Sequence, residues 1–370
     1  MYATLSDYVS FLHPLQKNDE NEFEMTDFHS TKYGLHKREN YTDIIHPRYF
    51  PPLYSFSDPC YSIQTHRFTL DEPIKPFHQQ VSESTYGDQE IVLVTIPKDP
   101  TGQHKFHTDC CKLDAASYLK QDAIERGVSI NGVFYQFQID SVPLGGYKQG
   151  DKELVRDLQP AYRPFYRAIT ISQDGQLTIH SQPFDDIWKE REKYHSVMAC
   201  APLLINQGEM SMTDDLVEKT VVGDVHVLQC DVSKPHERGM EVQRGEKRIK
   251  SCSQNLPGGL FHSSNANPRS ALITDKNGTV YFMRAAGRMP GVLGMDLVQM
   301  SQTIKRFIPD AWMAINLDGG APSQILQKHN GTVTSTTNQY SHKEQSTILI
   351  GNLISYLKVN DTFESAFSKV

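Results

Sequence analysis

Two tight-turn dipeptides constrain the fold of this chain more than any other feature. Asp174-Gly175 interrupts RAITISQDGQLTI, and Asn277-Gly278 interrupts RSALITDKNGTVYFMR. Both dipeptides tolerate φ > 0 and are flanked by β-branched runs, so each reads as a hairpin and together they imply antiparallel sheet. From Glu90, IVLVTIP is an apolar run bounded by Pro, the pattern of a buried strand, and the folded core is expected to begin near it. VSINGVFYQF reads as a further strand. Asp114 is placed to cap a helix over 115–126, with Gly127 at its left-handed C-terminal position. Asp296 and Gln299 form a capping-box pair ahead of the stripe Leu297, Met300, Ile304 and Phe307, which Pro309 ends. WMAINLDGG follows at once. Hairpins, helix, strand and loop in this order give an α+β class, with mixed, largely antiparallel sheets and packed helices.

Residues 1–65 mix Pro, His, Tyr and Asp/Asn without periodicity and read as an N-terminal extension or arm. The single large domain is expected over 66–370. Within it, residues 213–256 are polar and charged around VHVLQC and read as a peripheral hairpin or insertion. Apolar residues at 38% suffice for a core, and 22% charged residues are too few for disorder. The net charge of -7 offers no positive field for nucleic acid, so none is expected as a partner. The longest apolar stretch, 197–205, is about half of the roughly 20 residues a membrane span requires. The first residues carry neither a basic nor a sustained apolar segment, so an intracellular location is expected for the chain as written. Six cysteines without CxxC spacing read as reduced thiols, and four Asn-x-Ser/Thr sequons as turn chemistry.

Three segments interrupt the apolar pattern with groups that carry chemistry. In Ala314-Ile315-Asn316-Leu317-Asp318-Gly319-Gly320, strand alternation lets Ile315 and Leu317 face the core while Asn316 and Asp318 share the other face. A carboxylate then stands at a strand end, followed by two glycines whose backbone can turn sharply and offer N–H groups to an anion. A plain turn with an exposed Asp is the competing reading. In Asn265-Ala266-Asn267-Pro268-Arg269-Ser270, Arg269 enters a hairpin strand with a planar fork suited to phosphate or carboxylate, unless it neutralises a structural Asp. In Ile130-Asn131-Gly132-Val133, an amide and a glycine break a strand, as at a bulge or where backbone approaches a ligand. His104-x-x-His107-x-x-Cys110-Cys111 has zinc-ligand residue types but no common zinc spacing, and there is no G-x-S-x-G elbow.

These segments occur in the order of a known family. Asn131-Gly132-Val133-Phe134-Tyr135, Ala201-Pro202-Leu203-Leu204 with Gly208, Pro268-Arg269-Ser270-Ala271, and Asn316-Leu317-Asp318-Gly319-Gly320-Ala321-Pro322-Ser323 together resemble the phosphodiester glycosidases. The resemblance spans roughly residues 90 to 358. It departs from the family pattern at Val133 and Ala201, which replace glycines, and at Ala321-Pro322, which lengthens the loop before Ser323.

The resemblance implies a phosphodiester-glycosidase-like catalytic domain over 66–370, a hydrolase that removes a sugar from a sugar-1-phosphodiester or related phosphoglycan. Asp318, Arg269 and Asn131 are then the expected catalytic residues, and Gly132, Ser270, Asn316, Gly319, Gly320 and Ser323 the expected substrate-binding ones. No cofactor is implied, and no metal ligands are assigned. Asp318 is open to roles as acid, base or nucleophile, and Glu209 and Asp140 are the nearest candidates for a second carboxylate. The alternative is a non-catalytic carbohydrate-binding or structural protein that retains the fold.

Overall fold

The computed structural model describes residues 54–69, 88–99, 102–110, 115–134, 143–155, 163–212, 240–244, 247–251, 267–287, 292, 294–320, 323–335 and 352–360. Every strand pairing among them is antiparallel. An eight-stranded sheet runs, edge to edge, β1 (Tyr54–Asp58), β2 (Tyr61–Thr69), β3 (Asp88–Ile96), β16 (Val280–Ala285), β15 (Arg269–Asp275), β17 (Ala311–Asn316), β11 (Leu203–Asn206) and β12 (Glu209–Met210). A five-stranded sheet runs β7 (Lys152–Val155), β6 (Gly146–Gln149), β10 (Ser196–Cys200), β8 (Arg167–Ile171) and β9 (Leu177–Pro183). The second five-stranded sheet runs β19 (Thr332–Ser335), β18 (Ile325–His329), β5 (Ile124–Asn131), β20 (Leu353–Val359) and β4 (Lys105–Asp109). A separate hairpin, β13 (Met240–Arg244) with β14 (Lys247–Ser251), falls inside the stretch read as a peripheral insertion; VHVLQC lies outside the described residues.

Strand alternation sorts the apolar residues into one shared core and three outer ones. On β3, Val92, Val94 and Ile96 enter the shared core, while Ile91 and Leu93 face the opposite side. The shared core also takes Ile169, Met198 and Cys200 from one small sheet and Val128, Ile130, Ile354 and Tyr356 from the other. The three sheets therefore meet face to face on their inner sides.

Each outer face is covered by one short helix. Helix α1 (Ala115–Leu119) brings Tyr118 and Leu119 against Leu326, Leu353 and Leu357. Helix α2 (Phe184–Lys189) brings Phe184 and Ile187 against Val197 and Ala199. Helix α3 (Leu297–Phe307) lays Leu297, Met300 and Ile304 on Ala271, Ile273 and Met283 of the large sheet. At 11 residues α3 is too short to be stable alone, and burial at roughly 1.5–3 kcal/mol per large apolar side chain decides its stability.

The hairpins at Gly175 (φ 81°) and Gly278 (φ 85°) and the capping box of α3 follow the sequence reading. Three expectations need correction. The sheets dominate, so packed helices overstate the helical part; α1, α2 and α3 are single covers on sheet faces. The helix expected over 115–126 stops at Leu119, and Ile124 begins β5. Gly127 is no helix cap: it sits mid-strand, where a Cβ would strike the Tyr356 carbonyl and lie 3.0 Å from Leu357 Cα. The core also begins before Glu90, because β2 pairs along β3 from Ser62 to Thr69 and buries Tyr61, Ile63 and Phe68. Residue 65, where the sequence reading divides arm from domain, lies inside β2. No helix among the described residues is long and apolar enough to cross a membrane.

Candidate active site

Four chain segments meet where β5, β10 and β17 end and β15 begins. Asn131 closes β5 and is fully buried. Its Nδ2 donates to the Asp318 carbonyl at 2.6 Å, and its Oδ1 accepts from Ser270 Oγ at 2.7 Å and from the Gln324 N–H at 3.1 Å. Ser270 and Ser323 hydroxyls lie 2.8 Å apart, and Ser323 Oγ donates to the Arg269 carbonyl at 3.0 Å. Each hydroxyl has one proton, so Ser270 gives its own to Asn131, and the single Ser323 proton serves the Arg269 carbonyl and the Ser270 oxygen between them. Asn131 thus holds backbone and loop in place.

The loop after β17 is pinned residue by residue. The Leu317 N–H donates to the Ser270 carbonyl at 2.9 Å, the Asp318 N–H to the Gly132 carbonyl at 3.0 Å, and the Gly320 N–H to the Pro268 carbonyl at 2.9 Å. The Gly319 N–H donates to Asp318 Oδ1 at 2.9 Å. Both glycine amides read as anion donors are therefore engaged by the protein itself. Gly319 is glycine because a Cβ there would sit 2.8 Å from the Pro268 carbonyl oxygen. Gly132 clears the Asn352 side chain, whose Oδ1 accepts from the Val133 N–H at 2.6 Å and whose Nδ2 donates to the Val133 carbonyl at 2.9 Å.

Asp318, Gly319 and Gly320 are half-buried, while Asn316 beneath them is fully buried. The Asn316 Nδ2 donates to the Ala201 carbonyl at 3.4 Å, and its Oδ1 has no hydrogen-bond partner among the described residues. The Asn316 N–H donates to the Pro202 carbonyl at 3.0 Å, and the Cys200 thiol donates to the Asn316 carbonyl at 3.0 Å. Burial pushes the Cys200 thiol far above the usual thiol range, and the charge of Asp318 adds to that rise. Arg269 is buried and its Nε donates to the Met295 carbonyl at 2.8 Å. Its Cδ lies 3.8 Å from where a Cβ of Gly319 would be, so its chain passes directly beside the glycine loop.

Antiparallel partners share a sheet face, which separates two groups of residues. Ser270 opposes Arg284, alongside Leu272 and Phe282 of the shared core. Arg269 opposes Ala285, on the face that α3 covers. The site thus has an inner network of Asn131, Ser270 and Ser323, with Arg269 on the opposite face of the sheet and its chain running beside Gly319.

Asn352, Gln324 and Arg284 join this arrangement without having been read from the sequence. Asn352 carries the same signal as Asn131, an amide at the end of an apolar strand, whereas Arg284 inside YFMRAA reads as one charge on a strand. Glu209 is exposed on the edge strand β12, and Asp140 lies outside the described residues. The zinc alternative loses its geometry in β4. His104 is buried with Phe106 and Thr108, while Lys105, His107 and Asp109 are half-buried in the alternate register, so the two histidines lie on opposite faces.

The phosphodiester glycosidase family profile matches residues 125–354, well over half of the chain. The chain belongs to the phosphodiester glycosidase family. The match takes in every segment of the phosphodiester glycosidase motifs that converge here, from Asn131 to Asn352. Among solved structures, the chain is similar to the catalytic domain of zebrafish N-acetylglucosamine-1-phosphodiester alpha-N-acetylglucosaminidase, with 15% identity, a TM-score of 0.46 and coverage of 81% of this chain and 83% of that one. It is also similar to a hypothetical protein from Synechocystis, with 13% identity, a TM-score of 0.45 and coverage of 83% of this chain and 64% of that one. No curated protein matches the sequence significantly.

Proposed function

We propose that the chain hydrolyses the glycosidic bond of a sugar-1-phosphodiester or related phosphoglycan, with Asp318 as its reacting carboxylate and Arg269 as its anion-binding residue. The observation that carries this reading is the half-exposed Asp318, held at its carbonyl by Asn131 and at its N–H by Gly132, with the side chain of Arg269 passing beside the next residue, Gly319. A carboxylate on a rigid strand end, fixed by buried partners, has the preorganisation that proton transfer or attack at an anomeric carbon demands.

In the reaction the anomeric C–O bond breaks, water supplies hydroxyl to the anomeric carbon, and its proton ends on the phosphate oxygen. Arg269 binds the diester through its guanidinium fork, its Nε remaining on the Met295 carbonyl. The Gly319 and Gly320 amides shape the loop, because their N–H groups already serve Asp318 and Pro268. Asn131, Ser270, Asn316 and Ser323 are buried and hold the reacting groups rather than touching the sugar.

Arg269→Lys tests the reading, because an ammonium keeps the charge and loses the planar fork. We expect a folded variant whose sugar release per folded molecule falls about tenfold to a hundredfold, the equivalent of a charge-assisted contact of roughly 1.5–3 kcal/mol. A variant with a lowered melting temperature and undiminished turnover per folded molecule would make Arg269 a structural cation and remove it from substrate binding.

A further inference from the structure

We infer that Arg284 is a positioning residue of the same site, fixing from inside the core the far end of the loop that begins at Asp318. The inference rests on the proposed reaction for its functional consequence, and on the structure alone for its geometry. Arg284 opposes Ser270 on one side and Val92 on the other, facing the shared core, and is 2% exposed. Its Nε donates to the Ser323 carbonyl at 3.0 Å. The Ser323 N–H in turn donates to the Gly320 carbonyl at 3.2 Å, and the Ser323 hydroxyl reaches Ser270 and the Arg269 carbonyl.

Those bonds make a continuous path. The loop is held at its start by Asn131 and Gly132, at Gly320 by Pro268, and at its return by Arg284 through Ser323. Burying a guanidinium is unfavourable, and a residue that only filled space here would be better served by an apolar side chain. Burial pushes the Arg284 guanidinium down to about 10, with Glu90 raising it, so the group remains a cation at neutral pH. A cation with directed N–H groups suits the task of gripping a backbone carbonyl at the end of a turn.

The test uses the full chain carrying Arg284→Gln and, separately, Arg284→Lys. With glycine amides isotopically labelled, the resonances of Gly319 and Gly320 should shift in the Gln variant while that of Gly278, at the hairpin tip, stays in place. On a sugar-1-phosphodiester, kcat/KM per folded molecule should fall about tenfold to a hundredfold in the Gln variant, with partial recovery in the Lys variant, which can still donate to the Ser323 carbonyl. Unmoved Gly319 and Gly320 resonances in a folded variant would overturn the inference. So would failure of both variants to fold, which would make the residue structural. If the wild-type chain releases no sugar, the proposed reaction fails while the glycine spectrum still decides the role of Arg284.

Discussion

Asp296 accepts the Gln299 N–H at 2.9 Å while its carboxyl is buried, and these two circumstances act in opposite directions on its charge. Burial dominates and raises the carboxyl to about 7, against the lowering effect of the Gln299 and Val298 N–H groups. The folded state therefore keeps this proton over a range where the unfolded chain has lost it. Below the unfolded value of 3.8 both states are protonated; between 3.8 and about 7 stability falls as pH rises, and above that it levels off. At 1.36 kcal/mol per pH unit the ceiling on this loss is roughly 4 kcal/mol. Asp296→Asn keeps the cap acceptor and removes the titration, so it should flatten the fall and stabilise the chain near pH 8. Urea unfolding at pH 5 and pH 8 checks this, and an equal pH dependence in both proteins would refute it. At the same scale, Asn131 is legible in the sequence as a polar break in a strand, but its partners are not. An amide in a strand pattern announces a polar contact without saying whether the partner is a ligand or, as here, the chain itself.

Among the elements, β5 shows how close packing of backbones decides sequence. It lies between β18 and β20, and Gly127 stands where Leu357 and the Tyr356 carbonyl leave no room for a side chain. Gly127→Ala must displace backbone, which does not yield as a side-chain tip would, so we expect a loss of about 1–3 kcal/mol or more. Thermal unfolding measures it, and an unchanged melting temperature would contradict the packing described. The same glycine explains why the sequence over 115–126 reads as helix: Asp114 before it and Gly127 after it mimic caps, and the pairing with β18 and β20 reveals a strand. The hairpins and α3 were legible because their signals are local, residing in a turn dipeptide or a capping pair. The assembly of three sheets was not, since register between distant strands leaves no mark within either strand.

For the whole molecule, the shared core joins all three sheets, and β1 and β2 belong to it. A chain beginning at residue 66 loses β1 and the start of β2, including Tyr61 and Ile63, each 1% exposed. At roughly 1.5–3 kcal/mol per buried side chain, plus lost strand pairing, this is comparable with the whole stability of an ordinary domain, roughly 5–15 kcal/mol. Loss of cooperative urea unfolding is expected, and a sharp transition like that of the full chain would show that these strands are dispensable. The site depends on the same assembly, because Asn131 and Asp318 are 187 positions apart and touch only when the sheets meet. The most direct test of the account is sugar release from a sugar-1-phosphodiester by wild type and Asp318→Asn at matched folded fraction. The Asn side chain keeps the acceptor for the Gly319 N–H and removes only the carboxylate chemistry, so we expect release by the wild type and a fall of about 10²–10⁴-fold in the variant. Equal release by both proteins would contradict the assignment of Asp318 as the reacting carboxylate.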